Sequence, residues 1–265
     1  MIFAVPLSDD NPTARAPVMT YLVIGLCTGA FLWELGHNQR VIAYTYGMIP
    51  AELFGLWHPP RIYQGLAPWA KIFTSMFLHG GWFHLLGNML YLWIFGNNIE
   101  DVLGRGRFLI LYLACGIAAA LAQAFASPAS HIPMVGASGA IAGVLGAYLL
   151  LYPGANVRCF VWIVIFFRIV NIPAWMVLGL WFAMQLASGL MAAPGQPGVA
   201  FWAHVGGFVC GLVLVTVLRP SGVPILQPPR SQAFAVARPG AFAGYGRGSV
   251  PQTGRRFTRS RSPWQ

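Results

Sequence analysis

The sequence predicts an all-α membrane protein, built as a bundle of six transmembrane helices. Of its 265 residues, 57% are hydrophobic and only 8% are charged, whereas soluble domains carry about 25% charged residues. Apolar runs close to twenty residues long recur along the chain, and this is the length that an α-helix needs to cross a bilayer. Helices are the expected spans because backbone polar groups inside lipid must be paired within the segment.

Six apolar segments account for the predicted spans. We place them at residues 17–35, 82–99, 108–126, 135–152, 173–191 and 201–218. The first outer loop, residues 37–81, is long and rich in aromatic residues and Pro, so we expect short helices lying in the membrane interface there. Residues 159–170 are apolar but contain Arg168, and we interpret them as a buried or interfacial segment that leads into the fifth span.

Composition divides the chain into three parts. Residues 1–16 form a short N-terminal segment, residues 17–219 the membrane domain, and residues 220–265 a tail of Pro, Gly, Ala, Ser and Arg. The tail lacks hydrophobic periodicity, which predicts disorder. Its arginines supply much of the net charge of +10. We therefore expect the tail to be attracted to anionic lipid headgroups, and we expect no nucleic acid partner.

The distribution of Lys and Arg predicts the orientation. Arg105, Arg158 and Arg219 follow the second, fourth and sixth spans, which end on the same side if the spans alternate. The connections at 127–134 and 192–200 contain neither Lys nor Arg. Because positive residues favour the cytoplasmic side, we expect both termini in the cytoplasm and the protein in the inner or plasma membrane of the cell. The sequence specifies no oligomeric state.

Polar side chains of three predicted spans lie at one depth. Ser138 is fourteen residues before Tyr152, and His204 is fourteen residues before Leu218. At 1.5 Å per residue both lie about 21 Å from the cytoplasmic edge, and Asn88 lies about 18 Å from it. Such groups are costly in lipid and mark functional sites. The three residues therefore predict one site near the outer surface of the membrane.

Small residues predict that the fourth and sixth spans lie in close contact. Gly139 and Gly143 form one GxxxG pair, and Gly207 and Gly211 form another, which allows helix backbones to approach each other. The second pair shares a helix face with His204. A lone Ser in such a helix is commonly a packing residue. Its depth, matched to that of a histidine, favours a catalytic role instead.

At these residues the sequence resembles the rhomboid family of intramembrane serine proteases, over about residues 74–219. The segment "GASG" at 136–139 begins with Gly136 and matches the family's GxSG motif, and "HLLGN" at 84–88 matches its His-x-x-x-Asn element. The segment "AHVGGFVCG" carries the pattern of His204, Gly207 and Gly211. The three motifs occur in order on the second, fourth and sixth spans, which makes the resemblance specific. Glu100 also matches an acidic position of the family.

The resemblance implies a catalytic dyad, with Ser138 as nucleophile and His204 as general base and then acid. The oxyanion would be bound by the backbone N–H of Ser138, by the Asn88 side chain and by His84. We expect a polar cavity that opens outward and is lined by these residues and by His79. The implied substrates are transmembrane segments of membrane proteins, cut near the outer leaflet after access past the fifth span. We expect no cofactor and no metal, and no acidic side chain beside His204.

The sequence departs from the family pattern at a few positions. Some members carry Trp-Arg before the second span, where Ala70 and Lys71 stand here, and Val199 replaces a glycine before the last span. Ala142 stands where some members place an aromatic ring against the histidine. Two alternatives remain at this point. One is a catalytically inactive rhomboid-like protein that binds membrane clients. The other, less favoured because no internal repeat is visible, is a small-solute transporter.

Overall fold

The computed structural model describes residues 2–163, 165–192 and 198–228. Most of these residues are helical. The helices are α1 (Val18–Leu35), α2 (Gln39–Tyr46), α3 (Pro50–Leu53), α4 (Pro68–Thr74), α5 (Trp82–Tyr91), α6 (Asn97–Leu103), α7 (Arg105–Ala126), α8 (Ser138–Leu151), α9 (Ala174–Met191) and α10 (Phe201–Leu218). The strands are β1 (Ile2–Asp9), β2 (Asn156–Ile163) and β3 (Phe166–Pro173).

Four of the described helices are long and apolar enough to cross a membrane, namely α1, α7, α9 and α10. The second predicted span is one helical run from Trp82 to Leu103, in which a π-helical turn at Leu92–Gly96 joins α5 to α6. Turns of this kind occur frequently at functional sites. The protein is therefore a multi-pass membrane protein whose apolar helices coincide with predicted spans.

Helix α8 begins later than predicted. It has 14 residues, which corresponds to a length of about 21 Å, whereas the hydrocarbon core is about 30 Å thick. The residues before it leave the helical path, because Met134 pairs with Met48 in an isolated bridge and Gly136, at φ 129°, donates its N–H to the Ser75 carbonyl at 2.8 Å. Irregular backbone at membrane depth is tolerated where it lines a cavity.

The contact between α8 and α10 forms the centre of the bundle. A Cβ added at Gly207 would overlap the carbonyl oxygen of Gly139, and one added at Gly211 would overlap that of Gly143. No side chain other than hydrogen fits at these crossings. The predicted contact of the two GxxxG pairs is confirmed, and it brings backbone against backbone.

The prediction of an exclusively helical chain is wrong at two places. Strand β1 lies in the predicted N-terminal segment, and the hairpin of β2 and β3 occupies the stretch interpreted as a lead-in to α9. The three strands form an antiparallel sheet in the order β1-β2-β3. Short apolar runs fit strands and buried helices equally well, and the pairing of β1 with β2 joins segments about 150 residues apart. Periodicity along the sequence does not reveal such a pairing.

One side of the sheet is tied to the helical bundle. Val157 and Cys159 of β2 are buried. The Asp9 carboxylate at the end of β1 accepts hydrogen bonds from the Tyr148 hydroxyl at 2.7 Å and from the Asn98 amide at 2.8 Å. These bonds join the sheet to α8 and α6. The end of the hairpin is exposed and apolar, with Trp162, Ile165, Phe166 and Phe167 at its surface.

The predicted short helices of the long first loop are present as α2, α3 and α4. A buried ion pair holds them together, since Lys71 of α4 lies 2.7 Å from the Glu52 carboxylate of α3 and donates to the Tyr44 carbonyl at 3.1 Å. Lys71 is 0% exposed. Removing one partner of a buried ion pair strongly destabilises a protein, because the other charge stays buried without compensation. The loop is thus a packed structure with its own polar anchor.

Glu100, the acidic residue after the second span, caps another helix. Its carboxylate accepts the backbone N–H groups of Met19 and Thr20 at 2.9 and 2.8 Å, together with the Thr20 hydroxyl at 2.9 Å. The first N–H groups of a helix have no partner within it, and a negative charge is favourable there. Glu100 therefore fixes the start of α1 against α6.

The predicted tail begins at residue 220, and its first residues are placed against α8. Leu226 and Gln227 donate backbone hydrogen bonds to the carbonyls of Leu150 and Leu151, both at 2.9 Å. Most of the predicted basic tail, residues 229–265, lies outside the described residues.

Candidate active site

Ser138 and His204 are hydrogen-bonded to each other. Ser138 is the first residue of α8 and His204 lies in the first turn of α10. The distance between Ser138 Oγ and His204 Nε2 is 2.8 Å, and His204 is 9% exposed. The glycine crossings of α8 and α10 explain this geometry, because Gly139 directly follows Ser138 and Gly207 lies about one helical turn after His204. The close contact of the two helices thus brings the side chains within hydrogen-bonding distance.

A second hydrogen bond holds the other face of the His204 ring. Its Nδ1 atom lies 2.8 Å from Oε1 of Gln185 in α9. An amide oxygen only accepts, so Nδ1 carries the hydrogen and Nε2 is free to accept the Ser138 proton. Gln185 is not among the residues predicted from the sequence, where only acidic side chains were considered as partners for the histidine. The available signal was an amide side chain inside an apolar span, where polar groups are costly.

Trp181 packs on the same imidazole. The centroids of its ring and that of His204 are 5.6 Å apart, with 37° between the planes. Trp181 and Gln185 are four residues apart and so share one face of α9. Ala142 of α8 offers no aromatic ring to His204, and the ring is supplied instead by α9.

Three hydrogen-bond donors belong to this site, namely the side chains of Asn88 and His84 and the backbone N–H of Ser138 itself. The Asn88 Nδ2 atom is buried and without a hydrogen-bond partner, which is rare and costly for an amide unless a ligand completes it. His84 Nδ1 accepts the N–H of Gly80 at 3.3 Å, so its Nε2 is the protonated nitrogen, and it lies 2.8 Å from the place that a Cβ on Gly136 would take. The Ser138 N–H belongs to the first turn of α8, where N–H groups lack helical partners.

These groups line one cavity of about 640 Å³. Asn88 and His84 line it from α5, Ser138 from α8 and His204 from α10. The chain before α8, from Pro133 to Gly136, and the chain before α10, from Gly198 to Ala200, complete its wall. The cavity has the volume typical of a ligand site, with few polar groups in a largely apolar lining.

The structure does not place His79 in the cavity wall, contrary to the prediction. His79 is 1% exposed and packs edge-on behind His84, with ring centroids 5.2 Å apart. Its Nδ1 lies 3.2 Å from the Phe77 carbonyl, and its backbone N–H is bound by the Glu34 carboxylate. Burial, and the neighbouring His84, lower the pKa of His79 to about 4. His79 is thus a neutral support for His84.

Carboxylates do not take part in this site. The chain has six Asp and Glu residues, all within the described part, and none of them lines the cavity. A Ser-His-Asp triad is therefore not formed, and Gln185 takes the position of its third member. Across residues 2–163, 165–192 and 198–228, no group of three or more His, Cys, Asp or Glu side chains is arranged to hold a metal ion.

Comparison with known proteins identifies the family that the chain resembles. Residues 67–221 match the family described as the rhomboid domain. The chain is 31% identical over 237 residues to "Rhomboid protein 1, mitochondrial" of Saccharomyces cerevisiae, which covers 78% of this chain and 64% of that protein. It is 38% identical over 138 residues to "Rhomboid protease GluP" of Bacillus subtilis, covering 50% of this chain and 24% of the relative.

A further relative is "Presenilin-associated rhomboid-like protein, mitochondrial" of Homo sapiens, which is 28% identical over 198 residues, or 69% of this chain and 49% of that protein. The chain thus spans less than two thirds of the length of each of these relatives. The fold and the site define a multi-pass helical membrane protein with a serine–histidine pair in its core. Because the family match covers more than half of its length, the chain belongs to the rhomboid family.

Proposed function

We propose that this protein is an intramembrane serine endopeptidase that cuts transmembrane segments of membrane proteins near the outer leaflet. The observation that carries the proposal is the hydrogen bond of 2.8 Å between Ser138 Oγ and His204 Nε2, inside a cavity that also contains an unpaired amide donor of Asn88. A nucleophile, a base and an oxyanion donor around one cavity are the elements of acyl transfer.

In the first half-reaction, Ser138 Oγ attacks the scissile carbonyl carbon while its proton passes to His204 Nε2. The tetrahedral intermediate collapses as His204 gives that proton to the leaving amine, and the C–N bond breaks. An acyl ester on Ser138 remains. A water molecule then attacks the ester, again losing its proton to His204, and the Ser138 oxygen leaves with that proton.

The negative charge that develops on the carbonyl oxygen is stabilised by Asn88 Nδ2, by the Ser138 N–H and by His84 Nε2. An oxyanion donor of this kind lowers the barrier by about 3 kcal/mol. The helix dipole of α8 acts in the same direction, because Ser138 is at the positive end of that helix. The shortness of α8 is functional in this mechanism, since it leaves the serine at the start of the helix, in the wall of a cavity that water can fill.

We further propose that six helical runs cross the bilayer, α8 and the run from α5 to α6 among them. In this topology both termini face the cytoplasm and the cavity opens on the outer side, with lateral access for the substrate past α9. We propose the inner or plasma membrane of a cell as its location and anionic lipids as partners of the basic tail. Two relatives carry the word "mitochondrial" in their names, and the word describes the location of those two proteins.

The test combines a serine-directed probe with a reporter substrate. The purified protein in liposomes is treated with a fluorophosphonate, and cleavage of a single-span reporter is measured in parallel. We expect labelling and cleavage in the wild type, and neither in Ser138→Ala, while His204→Ala retains its fold and loses cleavage. Cleavage that persists in His204→Ala would refute the dyad.

Two alternative outcomes separate the competing functions. A folded wild type that binds the reporter without labelling or cleavage is a catalytically inactive client-binding protein. The protein is a transporter if solute crosses the liposome membrane equally fast in the wild type and in Ser138→Ala and no cleavage is observed.

A further inference from the structure

We propose that Gln185 is a positioning residue for catalysis, whose amide oxygen holds the His204 imidazole in the tautomer and orientation that accept the Ser138 proton. The inference rests on the proposed function and extends it to a third side chain. The Gln185 side chain is hydrogen-bonded to His204 and does not line the cavity of the nucleophile and the proposed oxyanion donors, so it acts through His204.

The geometry places the three side chains in series. Gln185 Oε1 lies 2.8 Å from His204 Nδ1, and His204 Nε2 lies 2.8 Å from Ser138 Oγ. Each helix contributes one member, since Gln185 is on α9, His204 on α10 and Ser138 on α8. A base that is hydrogen-bonded to its nucleophile and oriented by a third group is the general arrangement of activated serine nucleophiles.

The hydrogen bond selects the tautomer. A neutral imidazole carries one hydrogen, and only the form with hydrogen on Nδ1 leaves Nε2 as an acceptor for the serine. Without an acceptor at Nδ1, this form buries an unpaired N–H, which costs about 1–3 kcal/mol. The other tautomer would then donate from Nε2 to Ser138 and leave the nucleophile without a base. Gln185 therefore keeps the reactive form populated.

The chemistry of the amide suits the surroundings. His204 is 9% exposed and lies in an apolar helix bundle, where an ionised carboxylate would carry a large desolvation cost. The oxygen of a neutral amide accepts the same hydrogen bond without that cost. It also carries a partial negative charge toward Nδ1, which stabilises the imidazolium formed after proton transfer, though less than a full charge would.

Trp181 limits the other freedom of the ring. It lies one helical turn before Gln185 and packs on the imidazole with centroids 5.6 Å apart. The indole of Trp181 resists tilting of the imidazole ring, while the hydrogen bond from His204 to the Gln185 amide resists rotation of that ring. One face of α9 thus supplies both restraints, and the hydrogen bond is the one that distinguishes the two ring nitrogens.

The first experiment measures kinetics in Gln185→Leu, which is close in volume and has no acceptor. We expect kcat to fall at least about tenfold, with the factor of about 10⁴ found for a triad with the wrong tautomer as the upper bound. KM should stay nearly constant, and the rate of fluorophosphonate labelling should fall with kcat. Gln123→Leu, the same change at an amide of α7, is the matched control and should retain wild-type rates.

The second experiment uses Gln185→Glu, which keeps an acceptor and adds charge. A carboxylate at Nδ1 favours the imidazolium, so the acidic limb of the pH profile of kcat/KM should move to higher pH. A residue with only a structural role would alter thermal stability without moving that limb. An unmoved limb in Gln185→Glu, or wild-type labelling in Gln185→Leu, overturns the proposal.

A third measurement is independent of catalysis. The ¹⁵N NMR shifts of the His204 ring report which nitrogen carries the hydrogen. We expect Nδ1–H in the wild type and a shift toward Nε2–H in Gln185→Leu. Nε2–H in the wild type would overturn the role of Gln185 whatever the activity. If the wild type shows Nδ1–H but neither cleaves nor labels, the proposed function fails while the hydrogen-bond assignment stands.

Discussion

The contact between α8 and α10 and the attachment of the β-sheet use opposite means to hold segments of this protein together. At the helix contact, Gly207 and Gly211 of α10 lie directly against the carbonyl oxygens of Gly139 and Gly143. At the sheet, side chains make the connection, since Val157 and Cys159 are buried against the bundle and Asp9 is the polar anchor to Tyr148. The helix contact has no room for an added Cβ, whereas the sheet ends in a hairpin whose apolar side chains are exposed.

This difference explains which region can hold the proposed catalytic pair in place. Backbone contact through glycine leaves few alternative arrangements, because the two helices can neither slide nor separate without opening a void. Ser138 and His204 lie next to this contact, so the contact fixes their positions relative to each other. The sheet is joined to the bundle through a small number of hydrogen bonds and buried side chains, so we expect it to tolerate change and to affect catalysis only indirectly.

The largest effect is expected at the glycine contact. In Gly207→Ala the new Cβ would overlap the Gly139 carbonyl, so the backbones must separate, at a cost of about 3 kcal/mol or more. Cleavage should be lost because Ser138 and His204 move apart. Thermal unfolding in detergent and the reporter assay measure the two effects. Gly25→Ala in α1, where nothing lies within 4 Å of the added Cβ, is the control and should retain activity.

The next largest effect is expected on the proposed catalysis alone, in a variant that leaves the helix contact unchanged. Asn88→Ala removes a donor that is buried and unpaired, so kcat should fall about 10²–10³-fold. Stability should be unchanged or higher, because an orphaned polar group is removed. Steady-state kinetics and thermal unfolding on the same preparation test this pair of outcomes. A parallel loss of stability and rate would instead make Asn88 a structural residue.

A smaller effect concerns the anchor of the sheet and its pH dependence. Burial raises the pKa of the Asp9 carboxyl from its ordinary 3.8 to about 7, against the opposing hydrogen bond from Tyr148. Between these values the folded state holds a proton that the unfolded state has released. The contribution of Asp9 to the stability is therefore greatest at low pH and falls, by up to about 1.4 kcal/mol per pH unit, as the pH rises through this window.

Asp9→Asn should remove this contribution. Unfolding in detergent at pH 5 and at pH 7 gives the slope for each protein, and the wild type should lose more stability between the two than the variant does. Equal slopes would show that Asp9 is not protonated in the folded state.

The smallest effects distinguish the two sides of the sheet. Val157 is 0% exposed and faces the bundle, whereas Phe167 is 69% exposed at the end of the hairpin. Val157→Ala should cost about 2 kcal/mol through lost burial, and Phe167→Ser should change the unfolding free energy by less than about 0.5 kcal/mol in detergent. Reporter cleavage should persist in both variants. Similar costs at the two positions would contradict the attachment of the sheet by one side.

Much of the candidate active site was predictable because its signals are local. The equal distances of Ser138 and His204 from the predicted ends of their spans indicated that the two residues lie close together, and the spacing of Gly207 and Gly211 indicated the contact face of α10. The role of His79 was not predictable in the same way. Its position in sequence is close to His84, yet its ring packs behind that residue, since the chain turns just before α5.

The sequence by itself determined the membrane class, the apolar helices and the pairing of α8 with α10, because helical periodicity and residue volume are properties of each segment alone. The tertiary structure decided the support of His204 by Gln185 and Trp181, and the pairing of β1 with β2. Both depend on which distant segments become neighbours. An amide or an apolar run looks the same in sequence whether it faces lipid or a partner, and only packing gives each one its contact.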